Sequence, residues 1–95
     1  MNRLTGGQAI VIGRSLELMQ EQDPHDHPIV IADKTVSRRH ARLTLDDRNR
    51  LVIEDLNSSA GTFKGEHKIS TANFVHGEEV KFGSAGYRIA LPASN

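Results

Sequence analysis

The chain has 95 residues, 37% hydrophobic and 25% charged, with 12 basic residues balanced by 12 acidic ones, which fits a single domain with a small core and gives no general attraction to nucleic acid or an anionic membrane. It has no cysteine, which excludes disulfides and cysteine-ligated zinc. Its longest apolar runs, 9–12 and 29–32, are far too short to span a membrane, and no signal-peptide pattern opens the chain, so the expectation is a cytoplasmic protein without direct membrane contact.

Short apolar stretches separated by turn formers predict an all-β chain. The first strand is expected over 8–12. Residues 16–22, "LELMQEQ", carry helix-favouring side chains with Leu16 and Met19 on one face, and read equally as one helical turn or as a loop. Pro24 and Pro28 end any helix, and a strand follows over 28–31. The stretch 40–45 alternates, with Ala41, Leu43 and Leu45 on one side and His40, Arg42 and Thr44 on the other. The turn formers Asp46, Asp47, Arg48 and Asn49 then lead into a strand over 51–55, which predicts an antiparallel hairpin. Further strands are expected over 61–64, 79–82 and 86–91, where Val80 and Phe82, then Tyr87, Ile89 and Leu91, keep the two-residue spacing. There is no internal repeat and no linker.

Charge is unevenly spread. Lys34, Arg38, Arg39 and Arg42 fall within nine residues that contain no acid, whereas Glu17, Glu21, Asp23 and Asp26 make the preceding stretch acidic. A local anion site is therefore compatible with a neutral chain. His25 and His27 lie beside Asp23 and Asp26, but no second cluster offers further ligands at metal-binding spacing. No metal and no cofactor are expected.

Four pieces occur in order: "IGRS" at 12–15, "VSRRHA" at 36–41, "DLNSSAGTF" at 55–63 and "GEEVKFG" at 77–83. Together they resemble the forkhead-associated (FHA) domain, and the likeness covers about residues 8–91 of a chain expected to be one domain, 1–95. The resemblance implies a β-sandwich of two antiparallel sheets whose loops at one end recognise phosphothreonine peptides, with no catalytic residues. Only one strand fits before "IGRS", where the family usually has two, so the usual first strand is missing or lies in a longer parent protein. The resulting open sheet edge would serve self-association or contact with the rest of such a chain.

A phosphothreonine carries about −1.5 to −2 charges and three acceptor oxygens, so it needs converging donors and a permanent cation. Arg14 suits that role through its planar fork of donors, and Ser37 adds a short neutral donor. The resemblance brings Arg38 and Ser59 to the phosphate as well. Arg39, Ala60 and Thr35 are candidate peptide contacts, with Arg39 either enriching the field or pointing to solvent. Gly13, His40, Gly61 and Thr62 are expected to brace the loops. The blander readings are a surface arginine after a turn glycine for Arg14 and a turn serine bonded to its own backbone for Ser37.

Two departures weaken the likeness. Ala60 stands where the family has an asparagine that grips the bound peptide's backbone. "GTFKG" is one residue shorter than the family's usual Gly-Thr-x-x-Asn-Gly. The insertion between Arg14 and Ser37 is also long, and its acids would either form a lip for a partner or compete for the basic pocket. The leading expectation is a phosphothreonine-binding signalling module; the alternative is a phosphate-independent assembly domain of the same fold. Nucleic-acid binding by "SRRHAR" is disfavoured because the chain is neutral and has only one tyrosine and three phenylalanines for stacking.

Overall fold

Alternating apolar residues along short strands decide the architecture. A computed structural model describes residues 9–46, 48 and 50–91. Its elements in chain order are β1 (Ile10–Gly13), α1 (Leu16–Gln22), β2 (His27–Val30), β3 (Ala41–Leu45), β4 (Leu51–Asp55), β5 (Thr62–Lys64), β6 (His67–Ile69), β7 (Thr71–Phe74), β8 (Glu79–Phe82) and β9 (Ala85–Arg88). One sheet has the order β2-β1-β3-β4-β7 and the other β6-β5-β8-β9. Their inner faces contribute Ile12, Ala41, Leu51, Ile53, Phe74, Val80 and Phe82 to one buried cluster, which Val36 of the β2–β3 loop and Ile89, just past β9, complete. This is the expected β-sandwich.

The predicted hairpin is present, with β3 and β4 paired antiparallel from Ala41↔Asp55 to Leu45↔Leu51. Gln8 of the predicted first strand, and Asp47 and Asn49 of the turn, lie outside the described residues. One pair departs from the antiparallel expectation: β1 and β2 run parallel, with Ile10 opposite His27 and Gly13 opposite Val30. Parallel neighbours need a crossover, and residues 14–26, including α1, supply it. The question left open for 16–22 is thus answered by a helix. Ser15 caps it by accepting from the Leu18 amide at 3.1 Å, and its one buried residue, Met19, packs down while the rest stays wet. A helix this short does not persist in water alone, so the cap and Met19 hold it against β1 and β2.

Sequence periodicity gave no strand between residues 64 and 79, yet β6 and β7 occupy half of that stretch. Neither has a clean alternation: β6 is exposed at His67 and Lys68, and β7 buries only Phe74. Only Ser70 separates them, so the chain steps there from one sheet to the other and stacks the β6 and β7 edges. The opposite edges, β2 and β9, therefore share the far end. There Ile29, opposite buried Ile12, and Tyr87, opposite buried Val80, face inward yet stay 39% and 47% exposed.

Candidate functional site

Four chain reversals meet at one end of the sandwich: the β1–α1 junction, the long β2–β3 loop, the β4–β5 loop and the β8–β9 turn. Gly13 begins the assembly. A Cβ there would lie 2.2 Å from the Arg38 carbonyl oxygen, so only glycine lets the β2–β3 loop cross this closely. The crossing is stitched by backbone bonds, Arg14 N–H to the Ser37 carbonyl at 3.0 Å and Ser15 N–H to the Arg38 carbonyl at 3.1 Å. Arg14 Nε then donates to the Val36 carbonyl at 3.0 Å. This fixes the guanidinium plane, while its two Nη groups make no hydrogen bond among the described residues.

Ser37 joins this loop to its neighbour. Its Oγ accepts from the Ser59 amide at 3.0 Å, which leaves its own hydroxyl proton to donate outward. His40 is fully buried behind it. The Ser37 amide donates to His40 Nδ1 at 2.9 Å, so the ring proton resides on Nε2, which donates to the Gly61 carbonyl at 2.9 Å. The ring also meets Phe82 edge-on, with centroids 5.8 Å apart. His40 thus ties the β2–β3 loop to the β4–β5 loop from inside the core.

The β4–β5 loop is braced around Asp55. Its carboxylate accepts from the Ser58 amide at 3.0 Å, from the Ser58 hydroxyl and from the Thr62 hydroxyl at 2.7 Å. Burial alone would raise this carboxyl's pKa, but the Ser58 and Thr62 bonds outweigh it and hold the group below the usual carboxylate range. The Gly61 amide closes the loop by donating to Ser58 Oγ at 3.0 Å. On the other side, Asp33 Oδ1 accepts from the Thr35 amide and hydroxyl at 2.8 and 2.6 Å. The Ser84 amide donates to Thr35 Oγ1 at 2.8 Å, and the Gly83 amide to the Gly61 carbonyl at 2.8 Å.

The result is an open groove of about 230 Å³ lined by Arg14, Lys34, Thr35, Val36, Ser37, Ser59 and Ala60. A neighbouring hollow of about 420 Å³ continues from Arg14 and Lys34 to Ala32 and Asp33. The fold therefore gathers Arg14, Ser37, Ser59, Ala60 and Thr35, although the Thr35 hydroxyl is engaged as a brace. Gly13, His40, Gly61 and Thr62 lie behind the groove. Arg38 is exposed and outside the groove's lining. Arg39 is drawn away from it, donating to Asp23 through Nε at 2.6 Å and Nη2 at 2.9 Å. The insertion's acids thus hold Arg39 and Arg42 and leave Arg14 unpaired among the described residues.

Sequence reasoning missed Lys34, which lines both hollows, and the braces Asp55 and Ser58. Lys34 has no motif to mark it, because only the loop's path brings it beside Arg14. Asp55 and Ser58 had a local signal, an aspartate followed three residues later by a serine whose amide and hydroxyl can both reach it.

The family model described as "FHA domain" matches residues 10–83. Over 71 residues, or 70% of this chain, the sequence is 34% identical to the E3 ubiquitin-protein ligase DMA1 of Saccharomyces cerevisiae, and the match takes in 17% of that protein. The chain thus spans a small part of that curated relative. Among solved structures, the FHA domain of CT664 from Chlamydia trachomatis superposes with a TM-score of 0.78 at 24% identity, covering 95% of this chain and 83% of that one. Mycobacterium tuberculosis EmbR, solved in complex with a low-affinity phosphopeptide, gives 0.71 at 26% identity, covering 92% of this chain and 21% of that one. With nine strands in two facing sheets among the described residues and a family match across most of the sequence, this chain belongs to the FHA-domain family.

Proposed function

We propose that this domain is a non-catalytic reader of phosphothreonine in a partner protein. The observation that carries the reading is the Arg14 guanidinium, fixed through Nε by the Val36 carbonyl, with its Nη groups unpaired among the described residues on the groove that Ser37 and Ser59 share. A phosphate dianion seated there meets a planar permanent cation, two hydroxyl donors and the Lys34 charge, and hydrogen bonds to a charged group are each worth about 1.5–3 kcal/mol. EmbR, 26% identical, is itself solved with a phosphopeptide, which supports the same class of ligand here. Arg38, exposed and next in sequence to groove-lining Ser37, adds to the field that attracts the phosphate.

Phosphothreonine is preferred to phosphoserine because exposed Ala60 lines the groove and offers apolar surface to the extra methyl, while Val36 beneath it is buried in the core. One buried methyl is worth about 0.8 kcal/mol, or roughly fourfold in affinity. The test is calorimetry at fixed salt with a randomised phosphothreonine library, its phosphoserine counterpart and the unphosphorylated twin. Binding should require the phosphate, favour threonine and be lost in Arg14→Ala, with the fold checked by circular dichroism. Equal binding of the unphosphorylated library would instead support a phosphate-independent assembly domain, a reading favoured by Ala60 and by half-exposed, inward-facing Ile29 and Tyr87.

A further inference from the structure

The basic segment 34–42 carries four cations, more than one phosphate needs. Two of them are taken out of use by the insertion that precedes it. Asp23 ends α1, its amide donating to the Met19 carbonyl at 2.8 Å, and the Asp26 amide donates to the Asp23 carbonyl at 3.1 Å. Buried Met19 anchors this turn, so both carboxylates are held in place by the fold. Asp23 Oδ1 accepts from Arg39 Nη2 at 2.9 Å and from Arg42 Nη2 at 2.6 Å, while Oδ2 accepts from Arg39 Nε at 2.6 Å. Asp26 Oδ2 takes Arg42 Nε at 3.0 Å. The Asp23 side chain is only 2% exposed, against about 30% for each arginine. Glu54 adds further negative charge opposite Arg42 across the β3–β4 pair.

We propose that Asp23 and Asp26 are specificity-determining residues, which cage Arg39 and Arg42 so that the basic segment accepts one phosphate at the groove and rejects extended polyanions. Polyanion binding grows with the number of cations that can each replace a condensed counterion. A guanidinium already neutralised by a buried carboxylate makes little such contribution. Bonds from Arg39 and Arg42 hold the Asp23 carboxyl below the usual range despite its burial, so the cage stays charged at neutral pH. Lys34, Arg38 and Arg14 remain outside it. Of these, Lys34 and Arg14 line a single groove, which suits one phosphate better than a row of them.

The test uses the whole chain and a short fluorescent DNA duplex as the polyanion probe, read by anisotropy over a salt series. Asp23→Asn keeps the size of the side chain and removes its charge. It should raise duplex affinity at low salt by about tenfold and steepen the slope of log K against log salt by about one to two. Adding Arg39→Ala and Arg42→Ala should return both to the parent values. Glu21→Gln, which makes the same change in net charge at an exposed position of α1, should leave them near the parent values. The proposal is overturned if folded Asp23→Asn shows the parent slope, or if Glu21→Gln matches its gain. If Asp23→Asn does not melt cooperatively, Asp26→Asn takes its place: a slope steeper by up to about one supports the cage, and no change overturns it. A parallel titration with phosphothreonine peptide keeps the two questions apart, since loss of peptide binding bears on the groove and duplex binding bears on the cage.

Discussion

Ala60 lies on the groove wall with no hydrogen-bonding side chain, beside two serines that have one. A bound peptide's backbone would meet a methyl group there in place of an amide. Ala60→Asn offers a donor and an acceptor, each worth about 0.5–1.5 kcal/mol, and should tighten phosphothreonine-peptide binding about five- to a hundredfold. Anisotropy titrations of the two proteins with one peptide decide it; equal affinities would mean that the peptide backbone does not pass Ala60. At this scale the side chains that line the groove were legible in part: residue chemistry pointed to Arg14 and Ser37, and the family resemblance added Ser59. The pairing of Arg39 was not, because Asp23 lies sixteen positions away and reaches it only through the β1–α1–β2 crossover.

Among the elements, the β8–β9 turn shows how the groove depends on parts remote from it. Gly83 has φ +64°, and a Cβ there would lie 2.5 Å from both the carbonyl oxygen and the hydroxyl of Thr35. Gly65, in the β5–β6 turn, has a similar φ of +60° with no atom within 4 Å of such a Cβ. Gly65→Ala should therefore cost only the backbone penalty, about 1–2 kcal/mol, with unchanged peptide binding. Gly83→Ala should cost more and also weaken binding, because Thr35 must move and it borders Val36 and Ser37. Thermal melts and peptide titrations of the pair test this; parallel losses of affinity would show that the turn does not support the groove. Among the strands, β3 and β8 announced themselves by alternation. β6 did not, although the Gly65-Glu66 pair between Lys64 and His67 is a two-residue hairpin signal.

For the whole molecule, carboxylates tie the pieces together and make stability acid-sensitive. Arg39 and Arg42 hold the Asp23 carboxyl below its usual range, and the Ser58 and Thr62 bonds do the same for Asp55 against the effect of burial. A carboxyl whose folded pKa is depressed adds stability that is complete above its unfolded value, about 3.9, and is lost as pH falls through the folded value. The melting temperature should thus be steady from neutral pH to about 5 and drop progressively below about 4. Circular-dichroism melts across that range would contradict this account if they showed no decline. The unmatched end formed by β2 and β9 belongs to this scale too. No single stretch of sequence reveals that Ile29 and Tyr87 face inward without full cover, since each is defined by a partner strand in its own sheet.

What the sequence determined by itself was whatever depends on residue type and near neighbours. The two-residue alternation of 40–45 and 79–82 and the turn formers between 45 and 51 were enough for an all-β chain, and the ordered glycine, arginine and serine motifs were enough for the family resemblance that implies a β-sandwich. What only the tertiary structure decided depends on segments far apart in the chain. The parallel β1–β2 pair, the place of Lys34 on the groove, the inward fixing of His40 between Ser37 and Gly61, and the capture of Arg39 and Arg42 by Asp23 all arise where loops from different strands converge. The physical reason is that a hydrogen bond or ion pair acts over a few ångströms of space, whereas sequence patterns record only distance along the chain.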